Sequence, residues 1–244
     1  MMILGWKKRY SEILKEFNYS EKKDNESAKI LNSILKNNKI DEKICKLVKG
    51  KTVCVIGSGP SLSDAITKLK NLKIVKIAAD SSVNLLLENR IIPEIVVTDL
   101  DGDIGSFKKI VKTKCVFVVH AHGDNIKKLE FVKKIKNCIG TTQTKPFGKI
   151  KNFGGFTDGD RAVFLANHYG AKKIILFGMD FGDRIGKYSQ TKKAERKTKL
   201  RKLKRGKSLL EWLSTITNSE LFTTSKPIMG FKKISYKEVD TIIT

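Results

Sequence analysis

The sequence predicts a three-layer α/β fold, a mostly parallel sheet with helices on both faces. Three observations predict it. From Lys51 onward, short apolar, β-branched runs alternate with helical patterns. The runs are apolar on consecutive residues, which marks strands covered on both faces rather than one. Polar or glycine-rich clusters follow the runs at their C-terminal ends, where sheets of this kind carry ligand-binding loops.

Taken in order, residues 1–48 read as a small helical N-terminal extension. Trp6, Tyr10, Ile13, Leu14 and Phe17 recur at three- and four-residue spacing and form one apolar face. Glu21–Ser27 reads as a polar break, after which Ile30, Leu31, Ile34 and Leu35 begin a second amphipathic segment. Residues 49–244 read as one Rossmann-like domain. Strands are expected at Thr52–Ile56, Lys73–Ala79, Glu94–Thr98, Cys115–His120, Cys138–Thr142 and Lys173–Gly178, with a last one near Leu221–Thr224. Helices are expected at Leu62–Leu72, Ser82–Asn89, Ile104–Val111, Asn125–Lys136 and Asp158–Tyr169. The spacing of Leu200, Leu203, Leu209, Leu210 and Leu213 predicts one more helix, running from the basic stretch 192–207 to Leu213. No internal repeat is visible.

Composition narrows the function. The chain has 244 residues, 40% hydrophobic and 30% charged, which is enough apolar material for a sizeable core and too much for disorder. No apolar stretch reaches the ~18 residues of a spanning helix. Lys7, Lys8 and Arg9 follow only a few apolar residues, unlike a secretory signal, so a cytoplasmic protein without membrane partners is expected. Cys45, Cys54, Cys115 and Cys138 are too far apart for a zinc site and read as small buried hydrophobes. Lys+Arg number 49 and Asp+Glu 25, so 49 − 25 gives +24. That charge calls for an anionic partner or substrate. Ten of the cations fall in 192–207, either as a lid over an anion or as a solvated helix face. With no zinc finger, RNP motif or aromatic-interleaved basic strand, a specific nucleic-acid partner is not expected. A homodimer is left open.

Five clusters on one expected sheet edge carry the chemistry. The first, Gly57-Ser58-Gly59-Pro60-Ser61, turns from strand to helix and is expected to bind phosphate through amides and hydroxyls. It lacks the Lys of a Walker A loop and the third Gly of the dinucleotide fingerprint. The second, Thr98-Asp99-Leu100-Asp101-Gly102-Asp103, sets three carboxylates within five residues, a repulsive arrangement that Mg²⁺ would relieve on a phosphate substrate. Asp103 also reads as an N-cap. Asp80 ends the second strand and reads as a fourth carboxylate or a ribose contact. His120 and His122 follow the fourth strand, Thr142 and Gln143 the fifth, and Asp180 the sixth. The segment Asn152–Arg161 offers an aromatic surface at Phe153 or Phe156, carboxylates at Asp158 and Asp160, and the Arg161 guanidinium. Its Gly154-Gly155 pair reads as functional, since it would otherwise cost chain entropy for no packing gain. His168 reads as structural.

These blocks together resemble the archaeal 6-hydroxymethyl-7,8-dihydropterin pyrophosphokinases, the MptE-like family. The resemblance runs from Thr52 to about Leu213. It is carried by GSGPSL (57–62), AADSSVNLLLENRIIPEIVVTDLDGD (78–103), HAHGDN (120–125), NFGGFTDGDRA (152–162) and GMDFGDRIGKYS (178–189). The run from Asp80 through Pro93 is also similar to the thiamin pyrophosphokinase catalytic domain, with Thr98 standing where that family has Gly. The resemblance implies diphosphate transfer from ATP to the hydroxymethyl oxygen of a reduced pterin, with Mg²⁺, in methanopterin or folate-type biosynthesis. It assigns Asp99, Asp101 and Asp103 to the metal. Gly57, Ser58, Gly59, Pro60, Ser61 and Asp80 go to ATP and its phosphates. Asp99, Asp101 and Arg161 go to catalysis, and His120, Thr142, Gln143, Phe156, Asp158, Asp160 and Asp180 to the pterin side. The general base is unnamed, with His120 and Asp103 as candidates. A nucleotide-sugar glycosyltransferase of sialyltransferase type, using the same GSGPSL loop, is the alternative. The acidic cluster counts against it.

Overall fold

The computed structural model of the chain describes residues 2–36, 39–189, 191 and 193–243. Lys192, the first residue of the basic stretch, lies outside them. The elements are α1 (Trp6–Phe17), α2 (Glu21–Ile34), α3 (Ile40–Val48), β1 (Thr52–Ile56), α4 (Leu62–Asn71), β2 (Val75–Ala79), α5 (Ser82–Glu88), β3 (Ile95–Thr98) and α6 (Ile104–Ile110). After these come β4 (Val116–His120), β5 (Cys138–Thr141), β6 (Ile150–Lys151), α7 (Asp158–His168), β7 (Lys173–Phe177), α8 (Arg196–Ser214), β8 (Glu220–Thr223), β9 (Lys232–Lys233) and α9 (Glu238–Ile243).

The strands form one sheet in the order β6-β5-β4-β3-β2-β1-β7-β8-β9, and every pairing in it is parallel. The alternation of each strand divides the core in two. Val53, Val55, Ile77, Val97, Val118, Ile174 and Leu176 pack with α1, α3, α7 and α8. Cys54, Ile56, Ala78, Val96, Phe117, Val119, Ile175 and Phe177 pack with α2, α4, α5, α6 and α9. Both faces are therefore dry, which is why the strands are apolar at consecutive positions. The chain builds β1 to β6 in one direction and then returns across the other face through α7 to set β7 beside β1. The strand order reverses there, so a crevice opens beyond the C-terminal ends of β1 and β7.

The N-terminal segment is part of both layers. Trp6, Ile13, Ile44 and Val48 are fully buried on one face, and Ala28 and Leu31 on the other. Glu21–Ser27 is not a break. It forms the first turns of α2, with Ser20 as N-cap accepting from the Lys23 amide, and it places Asp24 and Ser27 on the buried side. The segment expected as a helix at Asn125–Lys136 is a 3₁₀ run, Ile126–Lys134. Cys54, Cys115 and Cys138 are buried free thiols, each pushed up to about 12 by burial. No helix among the described residues is long and apolar enough to cross a membrane.

Candidate active site

A cleft runs along the carboxyl edge of the sheet. Following the strand order, Gln143 stands after β5, His120 at the end of β4 with His122 after it, Asp99 and Asp101 after β3, Asp80 and Ser81 after β2. Gly57, Ser58 and Gly59 stand after β1, and Gly178, Met179 and Asp180 after β7. From β5 to β1 is four inter-strand steps, roughly 19 Å at the usual spacing. Phe156 to Gly159 and Arg161, at the start of α7, form one wall with Tyr19; Lys199, Lys202 and Leu203 of α8 close it, together with Arg184 to Gly186 and Ser189.

Four carboxylates converge at the centre. Asp80, Asp99, Asp101 and Asp158 each offer an oxygen within 4.8 Å of all the others. The backbone turns sharply to bring them together. Leu100 takes a φ of 67°, in a region that costs a branched residue ~1–3 kcal/mol. Its side chain is buried in the core, and its amide donates to Thr98 Oγ1 at 2.7 Å. That rotation leaves Asp99 and Asp101, on either side of it, in the cleft.

The electrostatics are those of charge awaiting a cation. Burial and then the neighbouring Asp158, Asp99 and Asp101 push Asp80 well above the usual carboxylate range. Asp158 rises through burial and Asp99, although Arg161 opposes the shift. Asp101, open to the cleft, is raised by partial desolvation and by Asp99. Burial would raise Asp99 too, but the hydrogen bond and charge of His122, with Asp101 and Arg161, together outweigh it and hold Asp99 low. His122 Nε2 lies 3.1 Å from Asp99 Oδ2, while its Nδ1 accepts from the Asp124 amide at 3.3 Å. The imidazole proton is thereby assigned to Nε2 and points at Asp99. The donor set is all oxygen, as hard divalent cations require, and Asp80 Oδ1 is buried without a partner. These residues fit a divalent metal.

Asn125 organises the loops beneath this centre. Its side-chain amide donates to Asp99 O at 2.8 Å and to His120 O at 2.6 Å. Its oxygen accepts from Ser27 Oγ and the His122 amide, both at 3.1 Å. Asp24 accepts from the Gly123 amide at 2.9 Å and from Tyr10 Oη at 2.7 Å. The N-terminal helices thus hold the histidine loop in register with the acidic loop.

The remaining expected residues divide. Gly57, Ser58, Gly59, Asp80, His120, Gln143, Phe156, Asp158, Arg161 and Asp180 line the cleft together with the acidic pair. Asp103 does not join the cluster; it caps α6 by accepting from the Ser106 amide at 2.7 Å. Asp160 is turned inward, accepting from the Phe156 amide at 2.6 Å and the Thr157 amide at 2.8 Å, which anchors the start of α7. Thr142 is buried against Thr144. Pro60 lies in an adjoining groove with Ser63, Arg184 and Arg196. Three amides of the glycine loop are used within the fold: Gly57 donates to Phe177 O, Gly59 to Gly178 O and Ser61 to Asp180. The loop's hydroxyl on the cleft is that of Ser58. Gly154-Gly155 does have a packing reason. Both have positive φ, and a Cβ on Gly155 would collide with the Arg161 backbone. Tyr19 and Arg184 join the cleft without having been assigned to it from the sequence, and His122 of the fourth-strand cluster and Lys202 of the basic stretch line it as well.

Among the described residues, four buried side-chain atoms in the cleft have no hydrogen-bond partner: Asp80 Oδ1, His120 Nε2, Gln143 Oε1 and Arg161 Nε. Each such atom costs ~1–3 kcal/mol if nothing meets it. All four belong to cleft-lining residues.

Comparison with known proteins gives one family and several relatives of the same name. The family described as "6-hydroxymethylpterin diphosphokinase MptE-like" matches residues 27–186. A protein of Pyrococcus furiosus named 6-hydroxymethyl-7,8-dihydropterin pyrophosphokinase is 44% identical over 215 residues, covering 85% of this chain and 92% of its own. Its namesake in Methanocaldococcus jannaschii is 42% identical over 226 residues, covering 85% and 94%. That of Methanothermobacter thermautotrophicus is 40% identical over 196 residues, covering 78% and 83%. Among solved structures, a MAf glycosyltransferase from Magnetospirillum magneticum AMB-1 superposes with a TM-score of 0.50 at 14% identity, covering 86% of this chain and 39% of its own. At that identity the likeness is one of fold alone.

Proposed function

The chain belongs to the 6-hydroxymethylpterin diphosphokinase MptE-like family, and on that premise we propose that it transfers diphosphate from ATP to the hydroxymethyl oxygen of 6-hydroxymethyl-7,8-dihydropterin. The products are the pterin diphosphate and AMP. The convergence of Asp80, Asp99, Asp101 and Asp158 at the centre of a two-ended cleft carries this reading.

The alcohol oxygen attacks the β-phosphorus as the bridging bond to the α-phosphate breaks. The electron pair of that bond leaves with AMP. Attack in line requires the alcohol and AMP on opposite sides of the β-phosphorus, so an enzyme for this reaction needs a long cleft with its charge-neutralising centre in the middle. Asp80, Asp99, Asp101 and Asp158 would hold Mg²⁺, which when bound neutralises phosphate oxygens and the charge developing on the leaving group. His122 orients Asp99 for that task. Lys199, Lys202 and Arg184 line the cleft and supply cationic contacts to the triphosphate. Lys202 keeps its charge: burial opposes it, but the Tyr19 hydroxyl and Asp99 and Asp101 raise its pKa. The basic helix is thus a lid on one side only, since Arg201 and Arg205 are occupied by Glu16 of α1, and Arg205 also by Glu12. His120 is neutral, held low first by burial and then by Arg161. Its Nδ1 bonds Thr141 Oγ1 at 3.0 Å, and the Thr141 hydroxyl in turn donates to Val119 O. The Nε2 lone pair is left for the substrate hydroxyl, whose proton it accepts.

The test is incubation with ATP, Mg²⁺ and 6-hydroxymethyl-7,8-dihydropterin, followed by chromatography. AMP and the pterin diphosphate are expected in equal amounts. ADP as the nucleotide product, or no transfer, contradicts the proposal.

A further inference from the structure

The two ends of the cleft differ in what they can bind, and in-line chemistry assigns one substrate to each. We propose that the pterin ring occupies the β4–β5 end, with its pyrimidinone edge on the Gln143 amide and its face against Tyr19 and Phe156, while the nucleotide enters from the β1–β7 end. The proposal rests on the reaction assigned above and adds its direction along the sheet.

Three observations carry it. Gln143 is 4% exposed, and its Oε1 is unpartnered in the cleft. Its backbone carbonyl accepts from Trp6 Nε1 and Asn152 Nδ2, both at 2.9 Å, so its main chain is pinned while its side-chain amide stays available. A pyrimidinone edge pairs adjacent N–H donors with a carbonyl acceptor, which one carboxamide meets in two parallel hydrogen bonds. Second, Tyr19, Phe17 and Phe156 form one aromatic group at this end, with Phe17 5.7 Å from Tyr19 and 4.8 Å from Phe156 between ring centres. Tyr19 and Phe156 line the cleft, which gives a flat ring a surface to lie on. Third, the free charge differs between the ends, with Lys202 Nζ, 5.6 Å from the Tyr19 ring and 6.0 Å from that of Phe156, at the border between the ring surface and the phosphates. The Arg161 guanidinium donates from Nη1 to Asp158, which pairs its charge, and from Nη2 to Phe156 O, while its buried Nε–H stays available as a donor to a ring heteroatom. Beyond Gly59, a groove lined by Arg184, Lys187 and Arg196 continues the β1–β7 end and suits the anionic nucleotide. His120 ends β4, between Gln143 and the acidic centre, where the hydroxymethyl group of a ring so held would lie.

The inference makes the N-terminal segment a specificity element, through Tyr19, rather than a cap. Gln143→Met keeps side-chain volume and removes the hydrogen bonds. Its KM for the pterin should rise about tenfold or more while its KM for ATP stays within about twofold, because the polar edge of the ring would then be buried without partners. Tyr19→Leu should act in the same direction, and Arg184→Gln in the opposite one. In the unmodified protein, hydrogen exchange gives a reading that depends on no variant. Oxidised 6-hydroxymethylpterin should protect residues 17–20 and 141–144, and AMP should protect 57–61 and 184–188. Protection of 57–61 by the pterin, or a rise in the ATP KM with an unchanged pterin KM in Gln143→Met, overturns the assignment while leaving the reaction intact. A protein that transfers nothing to the pterin overturns the reaction and this inference with it.

Discussion

The β1–β7 and β3–β5 ends of the cleft are built on opposite principles. At β1–β7, polar groups are satisfied by the protein itself. The Gly59 amide meets Gly178 O at 2.7 Å, and Asp180 accepts from both the amide and the hydroxyl of Ser61 at 2.8 Å and from Ser225 Oγ. Toward β3–β5, Asp80 after β2, His120 at the end of β4 and Gln143 after β5 each keep a buried atom without a partner. The first end is finished before any ligand arrives and contributes shape and cations. The second carries a desolvation cost that only a ligand returns. Stability and binding should therefore separate along the edge: changes at the finished end disturb the fold, and changes at the open end disturb turnover.

Asp101→Asn should break the open end most severely. It removes charge from the centre without volume, so AMP formation should fall about a thousandfold while the melting temperature in chelator holds or rises. A rate near that of the parent would contradict the role of the cluster. Gly59→Ala tests the finished end. A Cβ there would collide with the Asp180 carboxylate and lie 2.7 Å from Gly178 O, so stability should drop by about 1–3 kcal/mol in urea unfolding. An unchanged midpoint would show that the loop is not fixed in this way. Asn125→Leu sharpens the comparison, since Asn125 is satisfied yet lies beneath the open end. Losing four hydrogen bonds should cost about 1–3 kcal/mol and lower kcat about tenfold with little effect on KM, as expected of a residue that positions Asp99 and His120. The smallest effect is expected remote from the cleft. Burial would raise Asp41, but Lys151 at 2.6 Å and the Tyr169 hydroxyl hold its pKa below the usual value. Its contribution is present above about pH 4 and is lost as pH falls through the lowered pKa, and for a half-exposed pair it is at most about 1 kcal/mol. The stability gap between parent and Asp41→Asn should thus narrow in acid, and a gap that widens would reverse the sign of the interaction.

The six central strands were legible because a strand dry on both faces leaves an unbroken apolar run, as in Thr52–Ile56 and Cys115–His120. β6 and β9 were not, since two residues carry no period. α2 was half missed because its first turns are polar in composition, although Asp24 and Ser27 face inward to hold the histidine loop. At the site, adjacency in sequence misled where adjacency in space decides. Asp103 stands two residues from Asp101 yet caps a helix, whereas Asp80 and Asp158 reach Asp101 from other elements. Asp160 looked equivalent to Asp158, but three positions into α7 its carboxylate falls back on the helix start. Tyr19 and Asn125 could not be found from local pattern. Their importance arises from the packing of the N-terminal segment against the β4 and β5 loops, a contact between distant parts of the chain.

The central claim is that one cation, held by carboxylates from β2, β3 and α7, lies between two substrates on this edge. It is tested most directly by a crystal structure with Mn²⁺ and α,β-methylene-ATP, whose bridging carbon blocks the bond that should break. An anomalous peak is expected among Asp80, Asp99, Asp101 and Asp158, with the nucleotide running toward Gly59 and Arg184. A peak elsewhere, or a nucleotide bound away from the carboxyl edge of the sheet, would contradict it.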